Sequence, residues 1–374
     1  MRQQQPVPWG LVILLVGVTC LGWGCNVLKL TPTSQVIRPR VAGIQAEPAE
    51  ISLGESTELR ALFVHPPGEE DAFGAIWFSC VQAGSATGCL GLDTGAFLSA
   101  GGVEPEGDSE SPMDDELMTD PRNNQFGVGD AFSYTAHGSV IEDAWDALGE
   151  ADRVEGLVVM VSVTYVRRSN EELEAMLLDL NLATSGGDSE AIEAFADDFL
   201  ELLDDGVSAA RRIVVSDKTD AQPDPIDCPT TALTPNNNPY LDGVLLHEAE
   251  DGWDQGHLVG TVTFVEPEET LVLRPILRHG GIEDYLYITT DGETECRRET
   301  PWFAWLTNAG AMEADYSFVA DEGDYEEVEG RLKVNQLHLP PAEEMPDRSD
   351  LWIVARDRRG GLDWTRVQLA RTVH

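Results

Sequence analysis

Base is what this chain has least of. Lysine occurs only at Lys29, Lys218 and Lys333, and lysine plus arginine total 24 against 67 aspartates and glutamates in 374 residues. The formal net charge is −43. A surface of that sign repels nucleic-acid backbones and anionic lipid headgroups, which argues against both as direct partners. Acid-rich, lysine-poor surfaces suit high salt, where ions screen the repulsion; a saline habitat and plain solubility account for it equally well. Several catalytic patterns are missing too. There is no Cys-x-x-Cys pair, so zinc and thiol-redox chemistry have little support. There is no Gly-x-Ser-x-Gly elbow. Ser56 follows Gly54-Glu55, but Glu58 stands where the second glycine would be needed. His247-Glu248 is not followed by histidine at zinc-protease spacing, and no glycine-rich phosphate loop occurs.

A long apolar run is also lacking. The stretch from Trp9 to Cys25 is shorter than the roughly 20 apolar residues a comfortable bilayer crossing takes. Arg2 precedes it, and small residues lead to Cys25. That is the shape of a bacterial export signal. With cysteine first after the cut, residues 1–24 read as a lipoprotein signal peptide and the Cys25 thiol as the site of acylation. The usual pattern has an aliphatic residue three before the cysteine; here Gly22 stands there, with Leu21 one further back. An ordinary secreted protein and an uncleaved anchor are the competing readings. Asn26 is not the aspartate often linked to inner-membrane retention, so the outer membrane is the expected location. No acidic residue occurs before Glu47, so the acid load sits on the exported body.

Six cysteines are present. Cys20 leaves with the signal and Cys25 carries the lipid, which leaves four in an oxidising compartment. Cys80 and Cys89 flank a short Gly/Ser loop suited to a local bridge. By elimination Cys228 pairs with Cys296.

The remainder is long enough for two domains with real cores. Residues 25–37 read as a tether. Residues 38–216 read as an immunoglobulin-like domain: strands at Val41–Ala46, Glu50–Gly54 and Ser56–His65, then a Trp- and Cys-bearing strand at Phe73–Cys80. Two insertions interrupt it. Residues 99–130 form an acidic Gly/Pro/Ser-rich loop, and residues 167–208 a helical hairpin. Ser169 and Glu172 form a capping box, and Leu173, Met176, Leu177 and Leu180 share one helix face. A second helix starts near Asp188 or Ser189 and stops at Gly206. Packing against the sheet is the simpler reading of that apolar face; a partner-binding arm is the other. The apolar run Val154–Val166 predicts a buried central strand, paired with Arg211–Ser216. Residues 217–240 are a Pro/Asp/Asn-rich linker. Residues 241–374 carry many short strands and end in a hairpin turning at Gly360-Gly361, a second β-sandwich. The expected fold is therefore mainly β, with two immunoglobulin-like sandwich domains and a helical hairpin inserted in the first.

Three segments, Arg38–Ser56, Pro235–Gly243 and Trp352–Trp364, together resemble predicted lipoproteins of myxobacteria and related predatory bacteria. The resemblance implies immunoglobulin-like or PKD-like sandwiches behind a lipidated cysteine. It brings no activity.

Carboxylates are too abundant for any one pair to signal acid–base catalysis. Acidic loops at Asp220–Asp227, Glu248–Asp254 and Asp321–Glu329 offer oxygen ligands to calcium, with Asp321, Asp324 and Glu326 the best candidates; none matches EF-hand spacing, and solvated turns are the plainer reading. No other cofactor is expected. Trp302, Trp305, Trp352 and Trp364 suggest a sugar-stacking platform, but Trp302 and Trp305 face opposite sides of a regular strand, so core packing is favoured. The expected function is a non-enzymatic, lipid-anchored recognition or scaffolding protein, with the membrane as partner through its lipid, and another envelope protein or a surface polysaccharide as ligand. The alternative is an extracellular hydrolase or carbohydrate-binding module.

Overall fold

The computed structural model describes residues 32–68, 73–81, 125–186, 189–218, 228, 233–247, 257–258, 260, 262–278, 281–289, 293–318 and 334–372. From Ser34 onward the chain forms one compact unit. It is mainly β, and the strands make two sandwiches.

The first sandwich uses β1 (Arg40–Glu47), β2 (Glu50–Ile51), β3 (Ser56–Val64), β4 (Gly74–Val81), β5 (Phe126–Val128), β6 (Ala131–Thr135), β7 (Leu157–Val166) and β8 (Val207–Val215). One sheet has the order β1-β3-β6 and the other β2-β8-β7-β4-β5. The second sandwich uses β9 (Leu241–His247), β10 (His257–Leu258), β11 (Val262–Val265), β12 (Thr270–Leu277), β15 (Trp302–Thr307), β16 (Ala311–Met312), β17 (Tyr316–Phe318), β18 (Asn335–His338), β19 (Arg348–Arg356) and β20 (Leu362–Arg371). Its sheets run β10-β9-β12-β18-β16 and β11-β20-β19-β15-β17. One five-stranded sheet of each matches the other in order, β2-β8-β7-β4-β5 against β11-β20-β19-β15-β17. In each, a short early strand lies parallel to the last strand (β2 on β8, β11 on β20) while the rest of that sheet is antiparallel. This is immunoglobulin-like topology.

Each core is centred on a tryptophan in the equivalent strand. Trp77 on β4 and Trp305 on β15 are wholly buried. Trp77 donates its indole N–H to Gly129 O at 2.7 Å, and Trp305 to Ser317 Oγ at 2.9 Å. Of the four tryptophans in the sugar-platform reading, Trp305 and Trp352 are buried. Trp302 is half-buried against Tyr316 and Arg356.

The helical hairpin lies between β7 and β8, as α3 (Asn170–Gly186) and α4 (Ser189–Asp204). Its capping box is formed: Ser169 N–H donates to Glu172 Oε2 at 2.8 Å and Glu172 N–H to Ser169 Oγ at 3.2 Å. Leu173 and Phe199 are buried against Ile76 and Val166. The hairpin therefore packs on the sheet. Two further helices, α1 (Ser139–Ala147) and α2 (Glu150–Glu155), link β6 to β7. The sequence reading had assigned neither. Ile141 and Trp145 of α1 fill the end of the core. Among the described residues no helix is long and apolar enough to cross a membrane.

The sandwiches meet through a third apolar cluster. Leu62 and Val64 of β3 pack on Leu306, Trp352, Val354 and Leu362, with Val36 at the edge. Thus Ser34–Val36, read as the end of a tether, lies on the second sandwich, where Val36 N–H donates to Thr307 O and Thr307 N–H to Ser34 O, both at 2.8 Å. Polar bonds close the rest of the seam. Arg356 donates to Ala42 O and Arg211 to Ile44 O and Gly360 O. Asn238 is buried; its amide donates to Ala46 O at 2.8 Å and Glu47 at 2.7 Å, and its carbonyl accepts Leu362 N–H at 2.9 Å. Residues 233–240 are therefore an ordered strip between the sandwiches. The peptide bond Glu47–Pro48 is cis.

Candidate functional site

A hairpin, β13 (Asp284–Ile288) and β14 (Thr294–Arg298), leaves the second sandwich between β12 and β15 and forms a two-stranded sheet of its own. Two contacts fix it. Leu286 is buried with Val154 of α2 and with Leu233. Cys296 is joined to Cys228 by a disulfide, with Cα atoms 5.5 Å apart. The hairpin thus reaches across to the first sandwich, and a cleft of about 780 Å³ lies beneath it. A cleft of that size takes a small organic ligand.

The lining inverts the charge of the chain. Lys218, Arg297, Arg298, Arg358 and Arg359 line the cleft, against Glu50, Glu155 and Glu299. Five of 24 basic residues meet only three of 67 acids. Two of those acids are turned away from solvent: Glu50 is 4% exposed and Glu299 3%. Glu50 accepts from Ser216 Oγ, from Lys218 Nζ and from Asn236 N–H at 2.9 Å. Glu299 Oε1 accepts from Arg359 Nη1 at 3.2 Å, and its Oε2 from Glu283 N–H at 3.0 Å. Burial, with Asp357 nearby, pushes the Glu299 carboxyl up to about 7.

A perturbed carboxyl in a cleft is a functional signal in general. Here every carboxylate oxygen of Glu50 and Glu299 already has a donor, so neither is poised to move a proton to or from a ligand. Their role is to hold the floor. Asp357 extends that floor, accepting Arg359 N–H at 2.8 Å, Gly361 N–H at 2.7 Å and Asn236 Nδ2 at 3.2 Å. Burial raises its carboxyl as well. Gly360 turns with φ of 102°, a value that side-chain-bearing residues rarely adopt. A β-carbon at Gly361 would collide with Asp357 Oδ2 and Asn237 O.

Above the floor, guanidinium groups stack on phenols. Arg297 lies 3.6 Å from the Tyr287 ring centroid and Arg359 4.5 Å from that of Tyr285. Arg297 spends Nε and Nη2 on Glu295. Arg358 is exposed, and among the described residues it has no hydrogen-bond or ion-pair partner. Chemically the lining suits an anion: Arg358 is without a partner among the described residues, and Arg297 adds a second guanidinium, stacked on Tyr287 and held by Glu295.

Of the residues singled out from sequence, Cys228 and Cys296 are brought together at the edge of this cleft. Cys80 lies in β4. Cys25, Cys89, Asp321, Asp324 and Glu326, and the acidic loops at 220–227 and 248–254, lie outside the described residues. Among the described residues no group of three or more histidine, cysteine, aspartate or glutamate side chains forms a metal cage. The cleft residues were not among the sequence candidates. Their only signal was the pair of doublets Arg297-Arg298 and Arg358-Arg359 in a chain so short of base.

No family model matches the chain. No curated protein matches it either. Solved structures give distant likenesses. The two tandem V-type regions of VCBP3, a v-region-containing chitin binding protein, align over 88% of this chain and 98% of theirs, at 9% identity and TM-score 0.25. Red sea bream transglutaminase aligns over 90% of this chain at 8% identity and TM-score 0.20, and the chain spans about a third (32%) of its length. Trypsin-activated alpha-2-macroglobulin from Escherichia coli aligns over 89% of this chain and 18% of its own, at 8% identity and TM-score 0.19. Likeness at this level carries no argument about function.

Proposed function

We propose that this chain is a non-enzymatic, lipid-anchored envelope protein whose paired sandwiches recognise or scaffold a ligand outside the cytoplasm. The observation that carries the recognition role is the cleft roofed by the β13–β14 hairpin, with a cationic lining in a chain of net charge −43. A hairpin projected from one sandwich and tied down over the other serves binding better than chemistry, because the buried carboxylates beneath it are saturated with donors. The anchor rests on the sequence. An acyl chain on Cys25 would hold the protein at a membrane, with Asn26 in place of aspartate favouring the outer one; a lipidated cysteine is also what the resemblance to myxobacterial lipoproteins implies.

The carbohydrate-binding alternative is favoured by one observation, the partly exposed Tyr287 among the arginines of the cleft; the hydrolase alternative is not favoured by any. The anchor is tested by metabolic labelling with a fatty-acid probe in wild type and Cys25→Ala. Label on the wild type and none on the variant supports it. An unlabelled wild type removes the lipid from the proposal.

A further inference from the structure

The geometry points to an acidic saccharide as the occupant of the cleft: a short sugar chain whose rings carry carboxylate or phosphate. This deepens the reading of the cleft as the recognition site and rests on it. Arg358 and Arg297, both in the lining, supply charge-assisted donors. A guanidinium fork matches a two-oxygen anion better than a neutral hydroxyl. Tyr287 carries the Arg297 guanidinium on one face of its ring and is 38% exposed, so its remaining surface offers an apolar edge beside the cations for the C–H side of a sugar ring. At about 780 Å³ the cleft is in the size range of small-ligand sites.

Charge decides between a sugar and a folded acidic protein, and a short acidic peptide is left to the titration below. A folded acidic partner would bring its whole surface against a chain carrying 67 acids, and the repulsion would act over about 8–10 Å at ordinary ionic strength. A slender chain with about one anion per ring meets little besides the lining, where five basic residues face one exposed acid, Glu155. The ligand's anions thus sit on Arg358 and Arg297, while Glu50 and Glu299 stay beneath, committed to Lys218 and Arg359.

The test is titration calorimetry on the full chain in neutral detergent, with digalacturonate, glucose 6-phosphate, maltose and a triglutamate peptide as probes. The expected result is heat with digalacturonate or glucose 6-phosphate, the stronger of the two identifying the anion. Maltose and triglutamate should give none, and affinity should fall as salt rises. Arg358→Glu should weaken binding roughly tenfold or more, and Arg358→Lys by less. Because Arg358 is exposed and unpartnered, the thermal midpoint of these variants should match wild type, separating lost binding from lost folding. Silence with both anionic sugars, maltose binding as well as they do, triglutamate binding as well as digalacturonate, or unchanged affinity in Arg358→Glu would each overturn the assignment. None of these measurements depends on Cys25, so a failed fatty-acid label and a failed titration are separate outcomes.

Discussion

The two sandwiches share the order of one five-stranded sheet and dock through different sheets. The first docks through its three-stranded sheet, on the Leu62 and Val64 side of β3. The second docks through its β11-β20-β19-β15-β17 sheet, on Trp352 and Val354 of β19. Their insertions differ as well. The first inserts two helices between its last two strands and keeps them on its own sheet. The second inserts a hairpin between β12 and β15 and extends it over its neighbour. A shared sheet order therefore leaves function to the connections. One insertion thickens its own domain, whereas the other makes a wall for a site that neither sandwich contains alone.

The comparison breaks most sharply at the paired tryptophans. Trp77→Ala and Trp305→Ala should each cost about 3–5 kcal/mol by transfer and cavity effects. Because the seam couples the halves, calorimetry should show one transition lowered in both variants. Two separated transitions in either would mean the sandwiches unfold independently.

A smaller effect is expected at the seam. Asn238→Ala leaves Ala46 O and Leu362 N–H without their partner, at about 1–3 kcal/mol. Exposed controls such as Asn237→Ala should cost less, and equal losses by chemical denaturation would show the buried asparagine to be incidental.

The smallest effect sharpens the contrast by pH. Glu299 is raised from an ordinary carboxyl to about 7. The folded state thus holds a proton that the unfolded chain releases near 4.5. Its stabilising share is full below about 4.5 and is lost as pH rises through about 7. Asp357 and Asp363, also raised by burial, act in the same direction. Glu299→Gln should flatten the decline in stability between pH 5 and 8. A variant as steep as wild type would assign the slope to other groups.

Much of the framework was readable from sequence because burial writes directly into it. Ala61–Val64 and Leu351–Ala355 are unbroken apolar runs because both faces are covered, one by the strand's own core and the other by the seam. Ser169 and Glu172 marked the start of α3, and Gly360 marked the last turn. What stayed hidden has little burial to declare it. Thr294–Arg298 shows no apolar alternation and is largely exposed; pairing with β13 and the disulfide hold it in place. The short α1 buries only Ile141 and Trp145. The apolar run Leu258–Val265 predicts a single strand, yet its two ends lie in different sheets: β10 pairs with β9, while β11 pairs with β20. The cleft arginines were visible only as doublets, and an arginine doublet reads as a solvated surface until folding sets it beside another.

The seam also limits how this protein can be taken apart or recombined. Severed near Asn237, one piece would present Leu62 and Val64 to water and the other Leu306, Trp352 and Val354. Bare stripes of that kind invite clumping. Neither half is a freely exchangeable module, and the pair is what must be inherited, expressed and engineered together.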